Sequence, residues 1–131
     1  MGDQEGKPAA DGGLSLKARL AHIEGLDYHV AMGHCADDEE LLEEILHDIS
    51  ADCQERTERM RKSISEGDIK SYEIDAHSIK SSMATIGLMA LSERAKKHEF
   101  AAKADDTQLI SEDAEDFLRE YEEVCKKLGE I

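Results

Sequence analysis

The chain has 131 residues, enough for one domain built around a single hydrophobic core. Its composition favours helix, because it has one proline, no tryptophan and many Ala, Leu, Glu, Lys and Met residues, whereas strand patterns are nearly absent. The formal net charge of −15 argues against nucleic acid as a partner, since most of the surface would repel a polyanion.

The N-terminal stretch "MGDQEGKPAADGG" is rich in Gly, Asp and Pro and has no periodicity. This composition predicts a flexible leader or interdomain linker over residues 1–13, followed by a single domain over residues 14–131. Two short helices are predicted next, in "LSLKARLAHI" and "DYHVAMGHC", with Asp27 as the N-cap of the second. They are too short to be stable alone, so we expect them to pack on the rest of the domain.

Four longer helices follow. The first begins at a capping box of Asp37 and Glu40 and runs to about Ser63. The second is capped by Asp68 and ends at Gly87, and its inward positions step by three and four residues: Tyr72, Ala76, Ile79, Met83 and Ile86.

The third long helix carries one stripe of Leu88, Leu91, Ala95, His98 and Ala102, and "KADD" ends it. The fourth runs from about Leu109 to Leu128 on the stripe Ile110, Ala114, Phe117, Tyr121, Val124 and Leu128. Four amphipathic helices with short connections predict an all-α fold: an antiparallel up-and-down four-helix bundle with the short N-terminal helices capping one end.

Charge is distributed unevenly along the chain. The stretch from Glu66 to Lys103 has six acidic and six basic residues, so the remaining residues carry the whole net charge. A locally neutral surface suits a partner that is itself acidic, although it is equally consistent with an accident of composition.

That neutral stretch contains "AHSIKSSMATIG", in which His77 lies about 100° around the helix from the inward Ala76 and is expected to face solvent. Lys80, Ser81 and Ala84 share the face of His77. Small neighbours leave room for a partner to bring a reacting group to the imidazole, which is a competent nucleophile near pH 7. A lysine three residues away suits a histidine that becomes negatively charged on accepting a phosphoryl group.

A nucleophilic imidazole needs a hydrogen-bond acceptor on its other nitrogen to set the tautomer. Glu99 is the candidate, because His77 lies ten residues before Gly87 and Glu99 twelve after it. An antiparallel turn at Gly87 would bring the two residues to a similar height.

The segment "AHSIKSSMATIGLMALSERAKKHEFAAK" resembles the signature of histidine-containing phosphotransfer (HPt) domains. That family has an H-x-x-K core, small residues after the lysine, a glycine ten residues past the histidine, and Glu or Gln twelve further on. The matching positions are His77, Lys80, Ser81, Ala84, Gly87 and Glu99. With the upstream "GLDYHVAMGHCADDEELLEEIL", the resemblance extends over roughly residues 20–128.

The resemblance implies a four-helix bundle that acts as a phosphorelay carrier. It implies that His77 is the phosphoacceptor, that Lys80 stabilises the phosphate, that Glu99 orients the ring, and that Ser81, Ala84 and Gly87 form the docking surface. The partners implied are a response-regulator receiver domain and a sensor histidine kinase, with no cofactor in this chain and Mg²⁺ in the receiver. The chain departs from many members in having Ser81 instead of glycine, and His98 where an apolar residue is usual.

Four other interpretations are considered. The same helical face could belong to a non-catalytic adaptor that binds receiver or kinase domains without phosphorylation, or the chain could be one module of a larger kinase. His98 could be a second acceptor, although a packed ring is favoured. A zinc site from Cys35 and nearby imidazoles is disfavoured against surface or packing roles, and the imidazoles concerned are His22, His29, His34 and His47.

The cysteine pattern and the lack of long apolar runs indicate where in the cell the protein is expected. The three cysteines, Cys35, Cys53 and Cys125, form no C-x-x-C pair, so neither a disulfide framework nor a thiolate zinc site is indicated. No apolar run approaches the roughly 18 residues of a membrane span, and the N-terminus lacks the apolar core of a signal peptide. We therefore expect a cytoplasmic protein with no membrane partner.

Overall fold

Six helices follow one another in the computed structural model, which describes residues 14–131. The leader predicted over residues 1–13 lies outside the described residues. Two short helices come first and four longer ones follow: α1 Leu16–Leu20, α2 Tyr28–His34, α3 Glu39–Glu66, α4 Ile69–Thr85, α5 Met89–Lys103 and α6 Thr107–Gly129.

The four long helices pack in chain order around one core, with α3 against α4 and α6, and α5 against α4 and α6. Connections of two or three residues make consecutive helices antiparallel, as in an up-and-down bundle. The inward stripes predicted for α4, α5 and α6 are buried, except that Val124 is only partly buried and Cys125 lies in the core beside it. The predicted all-α fold is therefore confirmed.

The N-terminal helices lie at the end of the bundle where α4 turns into α5. Leu16, Leu20 and Ile23 contribute to the core, and the backbone N–H of Asp27 donates to the carbonyl of Gly87 at 3.0 Å. Gly87 has a φ of +83°, and a Cβ at this position would overlap the Asp27 carbonyl oxygen. Only glycine lets the α4–α5 turn fit beneath the start of α2.

Helix boundaries follow the capping side chains. Asp27 and Asp68 accept hydrogen bonds from Val30 N–H and Ser71 N–H, as predicted for N-caps. The capping box predicted at Asp37 is wrong by one residue: Asp38 caps α3, because Asp37 has a left-handed φ of +61° and leads into the helix.

Two other ends differ from the sequence expectation. Helix α3 continues three residues beyond Ser63 and ends at Glu66, where Gly67 adopts the left-handed conformation that terminates a helix. Helix α6 starts two residues earlier than predicted, since Asp106 caps it by accepting from Leu109 N–H. None of the helices within residues 14–131 is both long and apolar enough to cross a membrane.

Candidate functional site

His77 is an exposed side chain near the middle of α4, with 57% of its side-chain surface accessible. Its Nδ1 lies 2.9 Å from Glu99 Oε2 on α5. A neutral imidazole in this position donates Nδ1–H to the carboxylate and leaves the lone pair on Nε2 directed away from Glu99. The geometry therefore presents one nucleophilic nitrogen to solvent.

Glu99 is almost fully buried, yet three donors converge on its carboxylate. Besides His77, Lys80 Nζ lies 2.8 Å from Oε1, and Lys103 Nζ lies 3.3 Å from Oε2. Burial raises the pKa of Glu99, but the hydrogen bonds from Lys80, His77 and Lys103 outweigh it and lower the pKa to about 2. Glu99 is thus a fixed negative charge behind an exposed ring at neutral pH.

The α4–α5 contact holds these residues at matching heights. The Ser92 hydroxyl donates to the Lys80 carbonyl at 2.8 Å, which fixes one turn of α4 against α5. The side chain of Lys80 is only 27% exposed because it reaches back to Glu99, instead of extending freely into solvent beside His77.

The docking residues expected from the sequence have different surroundings. Ser81 is exposed and Ala84 is half-buried, so only short side chains project from α4 one and two turns beyond His77. Gly87 is buried beneath the backbone of Asp27, and its place in the structure is the turn itself, not an accessible surface.

Three residues near the site were not singled out from the sequence. Lys103 is four residues after Glu99, a helical spacing that could have revealed the ion pair. Ile74, one turn before His77, is 58% exposed, and Phe100, next to Glu99, is 50% exposed. The ammonium groups of Lys96 and Lys103 lie 5.5 and 5.4 Å from the centre of the Phe100 ring.

A buried carboxylate on the other side of α4 fixes this helix against α3. Asp75 is 4% exposed and accepts hydrogen bonds from Arg56 at 3.0 Å and from both Nε and Nη2 of Arg59 at 2.9 and 2.8 Å. This clamp lies two residues from His77, so it holds α4 in the rotation that presents His77 outward.

His98 is fully buried and both of its ring nitrogens have partners. The Tyr72 hydroxyl donates to Nδ1 at 2.8 Å, and Nε2–H donates to Asp113 Oδ2 at 2.8 Å, while the ring stacks on Phe117. Burial lowers the pKa of His98, although the bond to Asp113 opposes it. A ring with no exposed nitrogen cannot accept a phosphoryl group, so the packed role is the one observed.

The side chains considered for zinc do not assemble. Cys35 is buried, whereas the other imidazoles considered, His22, His29, His34 and His47, are exposed. Within residues 14–131 there is no group of three His, Cys, Asp or Glu side chains arranged to hold a metal ion.

In a comparison with known protein families, the family described as "Hpt domain" matches residues 44–127, more than half of the chain. The match contains every residue of the His77 site and all of α4 and α5. No curated protein and no solved structure matched the chain.

Proposed function

The chain belongs to the Hpt domain family, whose members carry phosphoryl groups in phosphorelays, and we propose that His77 is its phosphoacceptor. Nε2 takes the group from a receiver-domain phospho-aspartate or from a sensor histidine kinase, and passes it to the aspartate of a response-regulator receiver. One observation carries this proposal: buried Glu99 binds Nδ1 of an exposed ring and so leaves Nε2 available for attack.

The transfer step follows from this tautomer. The Nε2 lone pair forms a bond to phosphorus while the bond from phosphorus to the aspartyl oxygen breaks, and the aspartate leaves as a carboxylate. Because Nδ1 keeps its proton, the ring gains a positive charge. The low pKa of Glu99 keeps this carboxylate ionised, so it stabilises that charge and holds the ring in place.

The incoming phosphoryl group brings nearly two negative charges to the surface. Lys80 and Lys103 supply one cation at each oxygen of the Glu99 carboxylate, and Lys103 shares Oε2 with Nδ1 of His77. On this proposal the ammonium groups turn from the carboxylate towards the phosphoryl oxygens. Mg²⁺ is expected in the partner receiver, and we assign no cofactor to this chain. On this proposal the chain is a carrier and not an enzyme.

We define the acceptor face as His77 with Ile74, Ser81 and Ala84 on α4 and Phe100 on α5. The small side chains let a partner approach His77, and the exposed Ile74 and Phe100 offer apolar area at its edge. Lysines flank Phe100 although the chain as a whole is strongly acidic. The face therefore suits a receiver domain whose active site is apolar at the rim and acidic at the centre.

Phosphorylation of His77 is tested by incubating the protein with a phosphorylated receiver, or with a kinase core and ATP. The expected product is acid-labile and alkali-stable phosphate on the chain. His77→Gln should abolish the label, and His47→Gln is the matched control because His47 is an exposed histidine on α3. Undiminished labelling of the His77→Gln protein would refute the assignment.

The alternative function is an adaptor that binds receiver or kinase domains without being phosphorylated. The buried carboxylate behind His77 favours the carrier, since an adaptor does not need a ring with a fixed tautomer. The labelling experiment separates the carrier from the adaptor. An adaptor binds the receiver, but neither the wild-type protein nor the His77→Gln protein takes up label.

A further inference from the structure

Cys53 and Cys125 are 72 positions apart in the sequence but meet inside the bundle, where α3 packs on α6. Both side chains are buried, with 7% and 3% of their surfaces exposed, and their thiol groups are hydrogen-bonded to each other. The contact joins two of the three cysteines and leaves Cys35 alone on the N-terminal side.

The pairing is part of a regular antiparallel register between α3 and α6. On one side of the cysteine pair, a Cβ on Gly129 would lie 2.6 Å from Ser50 Oγ, so the two helices approach closely there. On the other side, Arg61 binds Glu122 at 2.7 Å. The two cysteines therefore lie between these two contacts, where α3 and α6 pack side by side.

Both cysteines also line a cavity that opens at the surface. A surface cavity of about 400 Å³ is lined by Ser50, Cys53, Gln54, Glu122, Cys125 and Lys126. Gln54 and Lys126 are exposed residues at its rim. The cavity is large enough to hold hydrogen peroxide, and both cysteines form part of its wall.

We propose that Cys53 and Cys125 form a site of reversible oxidation by peroxide, which closes an intramolecular disulfide between α3 and α6. Cys53 attacks one peroxide oxygen, the O–O bond breaks, and a sulfenic acid and one water form. The Cys125 sulfur then displaces the sulfenic oxygen as a second water while the S–S bond forms. Two thiols lose two hydrogens and two electrons, and one peroxide becomes two waters.

The local electrostatics agree with this order of attack. The hydrogen bond from Cys125 lowers the pKa of Cys53 against the effect of burial, while the same bond raises the pKa of Cys125. Cys53 is therefore the sulfur that becomes a thiolate more readily, and the thiolate is the reactive form.

This site is separate from the acceptor face. The cysteines lie on α3 and α6, whereas His77 and Lys80 lie on α4 and Glu99 on α5. Oxidation therefore consumes no residue of the His77 site, and the proposal does not depend on whether the chain carries phosphate.

The test is to treat the whole folded protein with a modest excess of hydrogen peroxide. We expect intact mass to fall by two hydrogen atoms, two of the three thiols to disappear, and peptide mapping to recover a Cys53–Cys125 cross-link. A cross-link closing so long a loop should raise the melting temperature by at least about 5 °C, and dithiothreitol should reverse this. Cys35→Ala should behave as wild type, whereas Cys125→Ala and Cys125→Ser should lose the cross-link and the shift.

Three results would overturn the proposal. The first is a wild-type protein that keeps three thiols while free cysteine in the same solution is oxidised. The second is a cross-link that joins two chains or includes Cys35. The third is thiol loss in the Cys125→Ser protein that gives the same mass change as in wild type. The mass measurement on wild type needs no variant, so the test stands even if a substitution prevents folding.

Discussion

Glu99→Gln is the substitution that most directly tests the electrostatics of the site. It keeps the shape of a side chain that is 3% exposed but removes the charge that Lys80, His77 and Lys103 surround. The pKa of Glu99 falls from the usual 4.5 to about 2 in the folded protein. The folded and unfolded pKa values differ by about 2.5, and each pKa unit corresponds to a tenfold change in an equilibrium constant, worth about 1.4 kcal/mol. The ionised carboxylate therefore stabilises the fold by about 3 kcal/mol.

The pH dependence has a definite sign. A carboxylate whose pKa is lower in the folded state stabilises the protein above the unfolded pKa, here 4.5, and the contribution is lost as pH falls towards 2. Urea unfolding should therefore find the Glu99→Gln protein less stable than wild type by about 3 kcal/mol at pH 7. At pH 3 the difference should be about half of that or less.

The matched control is Glu93→Gln, which removes an exposed carboxylate from the same helix. Its free energy of unfolding should stay within about 0.5 kcal/mol of wild type at every pH. A stability difference for Glu99→Gln that stays constant between pH 7 and pH 3 would show that lost packing, not lost charge, is its cause.

Three further substitutions probe the same framework. Lys80→Ala should slow phosphoryl transfer or shorten the phosphohistidine lifetime, and it should also lower the melting temperature, because it removes a cation from the buried Glu99 carboxylate. Transfer and phosphohistidine lifetime equal to those of wild type would contradict the assigned role of Lys80. Gly87→Ala should lower the free energy of unfolding in urea by at least about 2 kcal/mol. The control is Gly67→Ala, at a position with a similar φ but open space around it, which should lower the free energy of unfolding by about 1 kcal/mol. Equal losses in the two variants would disprove the contact of Gly87 with Asp27. His98→Phe should lower the free energy of unfolding by about 1–3 kcal/mol, because it leaves the buried Tyr72 hydroxyl without a partner. Adding Tyr72→Phe should recover part of that loss, whereas additive losses would refute the pairing of Tyr72 with His98.

Local rules explain why much of the fold and part of the site could be predicted from the sequence. The 3.6-residue period identifies the inward stripe of α4, and it thereby sets His77 outward and places Ser81 and Ala84 on the same face. The caps at Asp27 and Asp68 are equally local, since each depends on a side chain and the backbone three residues on. Even Glu99 could be found, because the height of a residue on a short antiparallel hairpin follows from counting to the turn.

Contacts between helices that are distant in the sequence could not be predicted without the tertiary structure. The rotation of α3 against α4 and α6 decides that Asp75 is buried under Arg56 and Arg59, and that Cys53 meets Cys125. The packing of α4, α5 and α6 decides that His98 is a buried link between Tyr72 and Asp113. The packing of the N-terminal segment on the α4–α5 turn puts Gly87 under the Asp27 backbone instead of on the docking surface. The sequence by itself determined which face each helix turns inward, because that follows from spacing along one helix. Only tertiary packing decided which side chains meet, because that depends on the rotation and register of several helices at once.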